Sequence, residues 1–543
     1  MSATPDSSTP APRPQPAPRP ALVTQAGALA VLAGAALLRF WHLGARSLWT
    51  DEGSTWAAAK APFGEMVRLC AQKDASPPLF YWLTSLALRL GDSEAHLRLV
   101  SALASIGLVW ITYRLVRLAT GRGEALLAAT LAALSPFQLL YAQEARTYTL
   151  VAFFTVASFY LFLRAAVFGR RRTWLPYIVV SALGLYTQDI AMLGLLAQGA
   201  VVILVPEARR RFAPWLLAQL AVGVVYLPWL FESLAQVSRL HSSHWYMERP
   251  NPHSVYQVLR TVFVAPIPLA TTTPLSRLPG LDALMPDRLA QLALLALPLG
   301  PLALAAPRLL ERGPRGLVAR ACALAMVLPV FAVLVVSFHM PLWSYRYFVF
   351  LTPFIAVLTA AGLGTIRPAA IGRAWAGLLL LLSAYACLRV DLEVTKEPWR
   401  DVVHAIAEES AGRHAAVLVT FDLDPFRFYD VKLARPIDAF EVSHPAVPFA
   451  SYYTPRQIDE MEQSAREHTR DYEEVWVVIR SPNSAVRREV ARRAERVAAE
   501  GRALVGYRRW DSTGGPIRVA HFRRLPAGAP ARPDSTGRSR ARG

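Results

Sequence analysis

Two adjacent carboxylates are the first candidates for chemistry in this chain. The segment SLWTDEGSTW, residues 47–56, places Asp51 and Glu52 between Trp49 and Trp56, just beyond the first strongly apolar segment. A carboxylate acts as a general base when it lies within hydrogen-bond reach of the hydroxyl that it deprotonates, and tryptophan favours the membrane–water interface. Taken alone, the pair is weak evidence and is better explained as a solvated polar loop, so its role depends on the rest of the chain.

Three further segments carry ionisable or hydrogen-bonding side chains among apolar residues. They are SPFQLLYAQEARTYTL (135–150) with Gln143, Glu144, Arg146 and Tyr148; MPLWSYRYFVFLTPF (340–354) with Tyr345 and Arg346; and CAQKDASPPLFYW (70–82) with Lys73 and Asp74. The planar donor fork of arginine can clamp a phosphate. The alternatives are a helix-end arginine that reaches the surface, an aromatic belt with one anchoring arginine, and a solvated loop lysine.

Composition places these segments in a membrane protein. The chain has 543 residues, of which 54% are hydrophobic, and the apolar residues gather in runs of roughly 15–22, about the length that crosses a bilayer. Three cysteines suggest neither a disulfide framework nor a metal site. The net charge of +19 does not indicate nucleic acid binding, because the basic residues lie between apolar runs, as the positive-inside rule expects.

The runs predict an α-helical polytopic membrane protein with about 11 transmembrane helices, at about 21–38, 97–118, 124–141, 148–164, 174–188, 190–206, 213–231, 288–306, 317–338, 347–364 and 374–390. With a cytoplasmic N-terminus, the inside loops hold the arginine-rich clusters, at 114–122, 170–172, 209–211, 308–320 and 367–373. The short apolar segment 77–91 would reverse this orientation as a span, so we interpret it as an interfacial helix.

The remaining segments complete the predicted organisation. Residues 1–20 form a Pro-rich tail and residues 526–543 a second tail, both predicted to be disordered. The large outer loops run from about 41 to 97 and from about 232 to 287. Residues 391–525 alternate strand-length apolar runs (415–421, 474–480 and 503–510) with helical patterns, which predicts a small α/β domain. An odd number of spans places this domain outside.

The orientation brings the candidate residues to one membrane face. Asp51 and Glu52, the Gln143–Arg146 segment, Arg346 and Lys73 all fall on the outer side. Two carboxylates and two arginines at one interface suggest a lipid-phosphate substrate and an acceptor hydroxyl.

Five motifs in order along the chain resemble a known family. They are LWTDEGSTW, D-x-x-PPLFYWL, LRLVSAL, SPFQLLYAQEARTYTL and YRYFVFLTPF. The chain is similar to the integral-membrane glycosyltransferases of the GT-C fold, in the family 39-like group of protein O-mannosyltransferases and lipid A aminoarabinose transferases. The resemblance covers about residues 20–390, and the motifs are specific for the superfamily but not for a substrate.

This resemblance implies transfer of a sugar from a polyprenyl-phosphate carrier to a hydroxyl of a protein, lipid or glycan, at the outer face of a bacterial inner membrane. Asp51 would be the base with Glu52 beside it, and Arg146 and Arg346 would bind the carrier phosphate. The loop with His244 would close over the lipid. Single displacement with inversion is expected. Relatives often have His or Lys at the position of Ser76, so the phosphate contact there is missing or comes from Lys73.

Other interpretations stay open at this stage. No ligand cluster demands a divalent metal, although one near Asp51 and Glu144 is compatible with the sequence. A flippase or transporter for lipid-linked sugars would need ionisable residues near the bilayer midplane and repeat symmetry, neither of which is evident here. An O-antigen-ligase-type enzyme is a second alternative, and a structural or sensory outer domain is a third.

Overall fold

The computed structural model describes residues 21–74, 76–242, 249–264, 296–340, 342–410, 413–444, 453–480 and 485–524. Both predicted tails lie outside these ranges, as does most of the second predicted outer loop. Helices dominate residues 21–393, and five strands with four helices form the rest of the described chain.

The helices of the first part are short or long according to the apolar runs that form them. Their bounds are α1 (Ala21–Phe40), α2 (Thr50–Lys60), α3 (Phe63–Leu69), α4 (Leu79–Leu88), α5 (Glu94–Val116), α6 (Arg122–Ala133), α7 (Pro136–Ala142), α8 (Tyr148–Phe162), α9 (Trp174–Thr187), α10 (Met192–Leu204), α11 (Pro206–Arg209), α12 (Phe212–Ser242), α13 (Pro252–Leu259), α14 (Ala296–Leu310), α15 (Pro314–Ser337), α16 (Thr352–Leu363) and α17 (Ala369–Glu393). A 3-10 segment, Tyr345–Leu351, leads directly into α16.

The structure is that of an integral membrane protein, but the predicted count of 11 spans is not confirmed. Among the described residues, six helical segments are long and apolar enough to cross a bilayer, or seven if the bent pair α6–α7 is one span. That pair turns by 55° where Ser135 and Pro136 interrupt it. The predicted span at 21–38 forms α1, which has 20 residues and is fully described from Gln25 to Phe40. The spans at 174–188 and 190–206 form helices of 14 and 13 residues, shorter than the roughly 20 that a span needs. The run at 288–306 lies partly outside the described ranges.

The predicted interfacial helix at 77–91 forms as α4, which has 10 residues. Its apolar side chains do not all face outward, because Phe80 and Tyr81 are fully buried in a cluster with residues of α5 and α8. Trp82 on the same helix is exposed. Residues 41–97, which include α2, α3 and α4, therefore form a packed group of short helices, called the platform from here on.

The C-terminal part is an α/β domain, as the alternating pattern predicts. Its elements are α18 (Trp399–Glu409), β1 (Ala415–Thr420), α19 (Asp424–Asp430), β2 (Asp438–Val442), α20 (Pro455–Thr469), β3 (Glu474–Arg480), α21 (Ala485–Ala499), β4 (Arg502–Trp510) and β5 (Ile517–Arg524). The sheet order is β2-β1-β3-β5-β4, and β1 runs parallel to both β2 and β3. The sequence patterns missed β2, β5, α19 and α20.

This domain shares a hydrophobic core with the platform. Leu48, Trp56 and Leu97 are buried in one cluster with Trp399 and Phe426 of the domain. The backbones also meet: a Cβ atom at Gly53 would lie 2.5 Å from the Pro425 nitrogen. Only glycine permits this approach of α19 to α2, so the domain packs directly on the helix that carries Asp51.

Replacing Gly53 by alanine should separate these two elements. The added methyl group overlaps a backbone nitrogen that cannot move alone, and overpacking of this kind costs about 1–3 kcal/mol. We expect a lower unfolding temperature in detergent and faster protease cleavage between the last span and the domain. Gly64→Ala on α3 is the control, because a Cβ there meets nothing within 4 Å. Equal behaviour of the two variants would contradict the close packing.

Candidate active site

Glu52 is fully buried and holds the start of α2 in place. Its Oε1 accepts hydrogen bonds from Arg98 Nε at 2.7 Å and from the Ala145 backbone N–H at 2.9 Å. Its Oε2 accepts from Arg98 Nη2 at 2.7 Å and from the Trp49 N–H at 3.4 Å. Burial alone would raise the pKa of Glu52, but the charge and hydrogen bonds of Arg98 outweigh it and hold that pKa below its ordinary value.

Arg98 extends this anchor to the preceding loop. Its guanidinium also donates to the carbonyl oxygens of Leu43, Arg46 and Ser47 at 2.9, 3.0 and 3.1 Å. The buried arginine therefore ties α5, the loop after α1 and the first turn of α2 together. The contacts found for Glu52 are those of an anchor, and a direct catalytic role for it stays a prediction.

Asp51, the next residue back along α2, points the other way. Its side chain is 31% exposed, and its Oδ2 lies 3.5 Å from Nη1 of Arg346. That guanidinium lies over the rings of Trp49 and Tyr148, 5.8 and 6.0 Å from their centroids, and donates to the Tyr148 hydroxyl at 3.4 Å. The structure thus brings together an accessible carboxylate, an arginine and a tyrosine from three predicted segments.

Arg146 also contacts α2, from the buried side of that helix. Its Nη1 donates to the Asp51 carbonyl oxygen at 3.3 Å and lies 3.4 Å from Thr55 Oγ1. The Arg146 backbone is held as well, because its carbonyl accepts from Ser101 Oγ at 3.2 Å. Arg146 is 9% exposed. Its contact with the predicted base is to the backbone carbonyl of Asp51.

The neighbours Gln143 and Glu144 are buried and paired. Gln143 Nε2 donates to the Trp41 carbonyl at 2.8 Å, and its Oε1 accepts from Arg46 at 3.3 Å. Glu144 forms an ion pair with Lys396, whose ammonium lies 5.0 Å from the centre of the Trp49 ring. These contacts stabilise the end of α7 against the loop after α1 and the linker that follows α17.

The other predicted residues are Tyr345, which precedes Arg346, and residues whose side chains lie outside the described part. Tyr345 is 39% exposed and its ring is 6.3 Å from that of Phe137. Lys73 and Asp74 belong to a π-helical segment, Cys70–Asp74, whose last two side chains are outside the described part. His244 lies outside the described residues altogether. Ser76 is buried.

Sequence reasoning missed Glu397 and Arg480, which connect the C-terminal domain to α2. Glu397 Oε2 accepts from the Thr50 N–H at 3.1 Å, from Thr50 Oγ1 at 3.0 Å and from Trp399 Nε1 at 2.8 Å. Its Oε1 is 2.7 Å from Arg480 Nε. Neither residue interrupts an apolar run, so no local signal marks them; Arg98 does interrupt one and could have been found.

The cluster can bind an anion and accept a proton. Asp51 is accessible to solvent. The guanidinium of Arg346 lies over the rings of Trp49 and Tyr148, an arrangement suited to binding phosphate. Within the described ranges, no group of three or more His, Cys, Asp or Glu side chains is placed to hold a metal ion.

Comparisons with known proteins agree with this architecture. Residues 75–231 match the model of the family described as dolichyl-phosphate-mannose-protein mannosyltransferase. ArnT from Cupriavidus metallidurans bound to undecaprenyl phosphate superposes with a TM-score of 0.54 at 14% identity, covering 91% of this chain and 97% of that one. The Archaeoglobus fulgidus oligosaccharyltransferase with Zn and sulfate gives a TM-score of 0.50 at 14% identity, covering 90% of this chain and 72% of that one. No curated protein sequence matches the chain.

The structural likenesses share a fold across low identity, and the family match covers the helices from α4 to α12. The predicted resemblance is thereby confirmed: the chain has the GT-C fold of integral-membrane glycosyltransferases and carries the protein mannosyltransferase family's pattern over residues 75–231.

Proposed function

We propose that the protein transfers a sugar from a polyprenyl-phosphate carrier to a hydroxyl acceptor at the extracytoplasmic face of the membrane. The observation that carries this proposal is the contact between Asp51 and Arg346, 3.5 Å apart at the junction of the helices and the C-terminal domain. A carboxylate and a guanidinium side by side suit a reaction in which a hydroxyl loses a proton and a phosphate ester departs.

The reaction that this geometry supports is a single displacement. The acceptor oxygen attacks the anomeric carbon while its proton passes to the Asp51 carboxylate. The bond between that carbon and the phosphate oxygen breaks, and polyprenyl phosphate leaves with the electron pair. Because the attack comes from the side opposite the phosphate, the configuration at the anomeric carbon inverts. Arg346, beside Asp51, would stabilise the charge on the departing phosphate, and the contacts of Glu52 and Arg146 hold the helix that carries the base.

The arginine-rich loops support an extracytoplasmic site. They follow the ends of the helices that lie away from Asp51, and such loops stay in the cytoplasm. The C-terminal domain, packed on α2, is then also extracytoplasmic. Its proposed extent is residues 391–525, after the helical part of residues 21–390, and a bacterial inner membrane is the proposed location.

The test of the transferase proposal is a reconstituted reaction together with an envelope comparison. The full-length protein in lipid nanodiscs is incubated with undecaprenyl-phosphate-linked hexoses and aminopentoses and a membrane extract as acceptor. We expect release of undecaprenyl phosphate and a new glycan mass, and cells without the protein should lack that mass in their envelope glycans or glycoproteins. Carrier that crosses a vesicle bilayer without sugar transfer would instead indicate a flippase.

Replacing Arg346 should weaken binding of the carrier. Arg346→Ala removes the guanidinium and should lower the affinity for undecaprenyl phosphate by roughly tenfold or more, the effect of losing one charged hydrogen bond. Arg346→Lys keeps a positive charge but not the planar fork, so a smaller loss is expected. The measurement is a binding titration in nanodiscs.

The matched control for this titration is Arg68→Ala. Arg68 is exposed on the same platform and pairs with Glu65 on its own helix at 2.6 Å, so its removal should not change carrier affinity. Equal affinities for Arg346→Ala, Arg346→Lys and the unmodified protein would exclude Arg346 from the phosphate site.

A further inference from the structure

The carboxyl ends of two parallel strands in the C-terminal domain meet beside Asp51. Strand β1 lies between β2 and β3 and runs parallel to both, so the residues after Thr420 and the last residue of β3, Arg480, share one edge. Helix α19, after β1, packs in the core that faces α18, whereas α20 and α21 pack in the core on the other face. In open α/β sheets, the crevice at such a change of side is where ligands bind.

The backbone at this edge is strained. Phe421 and Asp422 both adopt left-handed conformations, with φ of 61° and 62°, which residues other than glycine rarely do. Two in succession are retained only where the surroundings enforce them, and such strain clusters at ligand sites. The turn aims the Asp422 carboxylate at Arg480, with 2.6 Å between Oδ2 and Nη1. Both side chains are partly exposed.

This edge is electrostatically joined to the proposed base. Burial would lower the pKa of Arg480, but the carboxylates of Glu397, Asp422 and Asp51 outweigh it and raise that pKa. The contacts give the same connection, because Glu397 Oε1 lies 2.7 Å from Arg480 Nε and Glu397 Oε2 accepts from the Thr50 N–H at 3.1 Å, next to Asp51 on α2.

We propose that the crevice formed by Asp422, Arg480 and Arg487 is the acceptor subsite, and that the acceptor it takes is a saccharide. The inference rests on the proposed transferase function. The carrier's lipid enters from the bilayer, so its phosphate belongs on the side of Arg346. The attacking hydroxyl must then reach Asp51 from the domain side, where this crevice lies.

The charges in the crevice identify the chemistry of the acceptor. Arg487, whose guanidinium lies 4.9 Å from the centre of the Phe421 ring, joins Arg480 as a second cation. Asp422 supplies an opposing carboxylate that is partly exposed, so the crevice offers groups of both charges to a ligand. The hydroxyls of a sugar are neutral, and each can donate to a carboxylate and accept from a guanidinium.

The test separates transfer from donor hydrolysis. The full-length protein in nanodiscs receives undecaprenyl-phosphate sugar carrying a radiolabel, with or without the saccharide fraction of the source membranes. Hydrolysis uses water as the nucleophile, so it needs the donor and Asp51 but no acceptor subsite. For Asp422→Asn and for Arg487→Gln, we expect transfer to saccharide to fall about tenfold or more while hydrolysis stays within about twofold of the parental rate. Arg480 is left in place because it is the partner of the buried Glu397.

Arg508→Gln is the control, because Arg508 is an exposed arginine of the same domain that pairs with Glu409 and lies on β4, which β5 separates from β3. It should leave both rates unchanged. Loss of hydrolysis together with transfer in Asp422→Asn and Arg487→Gln would overturn the subsite, since the residues would then act on Asp51 or on folding. Label that enters protein instead of saccharide would overturn the acceptor class. A parental protein that binds undecaprenyl phosphate but performs neither reaction would overturn the transferase proposal itself.

Discussion

Asp51→Asn should lower the rate of sugar transfer by about 10²–10⁴, the range that a positioned general base contributes. The amide has the shape of the carboxylate but does not take the proton of the attacking hydroxyl. Asp51 is partly exposed and its side-chain ion pair with Arg346 is long, at 3.5 Å. The substitution should therefore leave the fold, the unfolding temperature and the affinity for undecaprenyl phosphate nearly unchanged.

The control for this prediction is Glu65→Gln. Glu65 is an exposed carboxylate on α3, a different helix from Asp51, and it pairs with Arg68, so its replacement should not affect transfer. Radiolabel transfer in nanodiscs, measured beside carrier binding, distinguishes a lost base from a lost site. A parental rate for Asp51→Asn would show that another group takes the proton, and reduced carrier binding would show that Asp51 positions Arg346 instead.

Arg98→Met should destabilise the protein by roughly 3–5 kcal/mol, the cost of leaving one partner of a buried ion pair alone. Glu52 would keep its charge in a fully buried position, and the carbonyl oxygens of Leu43, Arg46 and Ser47 would lose their donor. We expect a strongly lowered unfolding temperature in detergent and little monodisperse protein. The loss of activity should match the loss of folded protein, so the fraction that remains folded should keep its activity.

A double variant tests whether the uncompensated charge is the cause. Glu52→Gln combined with Arg98→Met removes both charges, so it should recover part of the stability that Arg98→Met loses. Arg114→Met is the control on the same helix, since Arg114 is partly exposed and contacts Tyr160 rather than a carboxylate. If Arg98→Met unfolds at the parental temperature, Glu52 and Arg98 do not anchor the platform.

Much of the helical architecture is readable from the chain because apolar runs report burial in lipid directly. Each predicted run has a helix in the described structure, yet only six or seven of these helices have the length and hydropathy of a span. Helices such as α9, with 14 residues, are shorter than a bilayer core. The strands β1, β3 and β4 were predicted because their residues are β-branched, aromatic or apolar. The strand β2, DAFEV, is only partly buried and too polar to give that signal.

The candidate site divides in a similar way. Asp51, Arg146 and Arg346 lie in motifs whose polar residues interrupt apolar sequence, and such interruptions are costly enough to be informative. Glu397 and Arg480 lie in a polar part of the chain, where a charged side chain is ordinary. Their importance comes from contacts across hundreds of residues, such as the bond from Thr50 to Glu397, and no local pattern encodes those.

The sequence by itself indicated a polytopic membrane protein, because hydropathy is a local property, and its motifs carried the resemblance to the GT-C fold. It also singled out Asp51 and Arg346 as candidates, because charged residues among apolar ones are costly. Only the tertiary structure decided which of the two adjacent carboxylates is exposed and which is buried. Successive residues of a helix point in different directions. The Asp51 side chain therefore faces Arg346 and solvent, whereas the Glu52 side chain is buried and paired with Arg98. Which side faces the opening depends on what packs against α2, and that is a property of the whole fold.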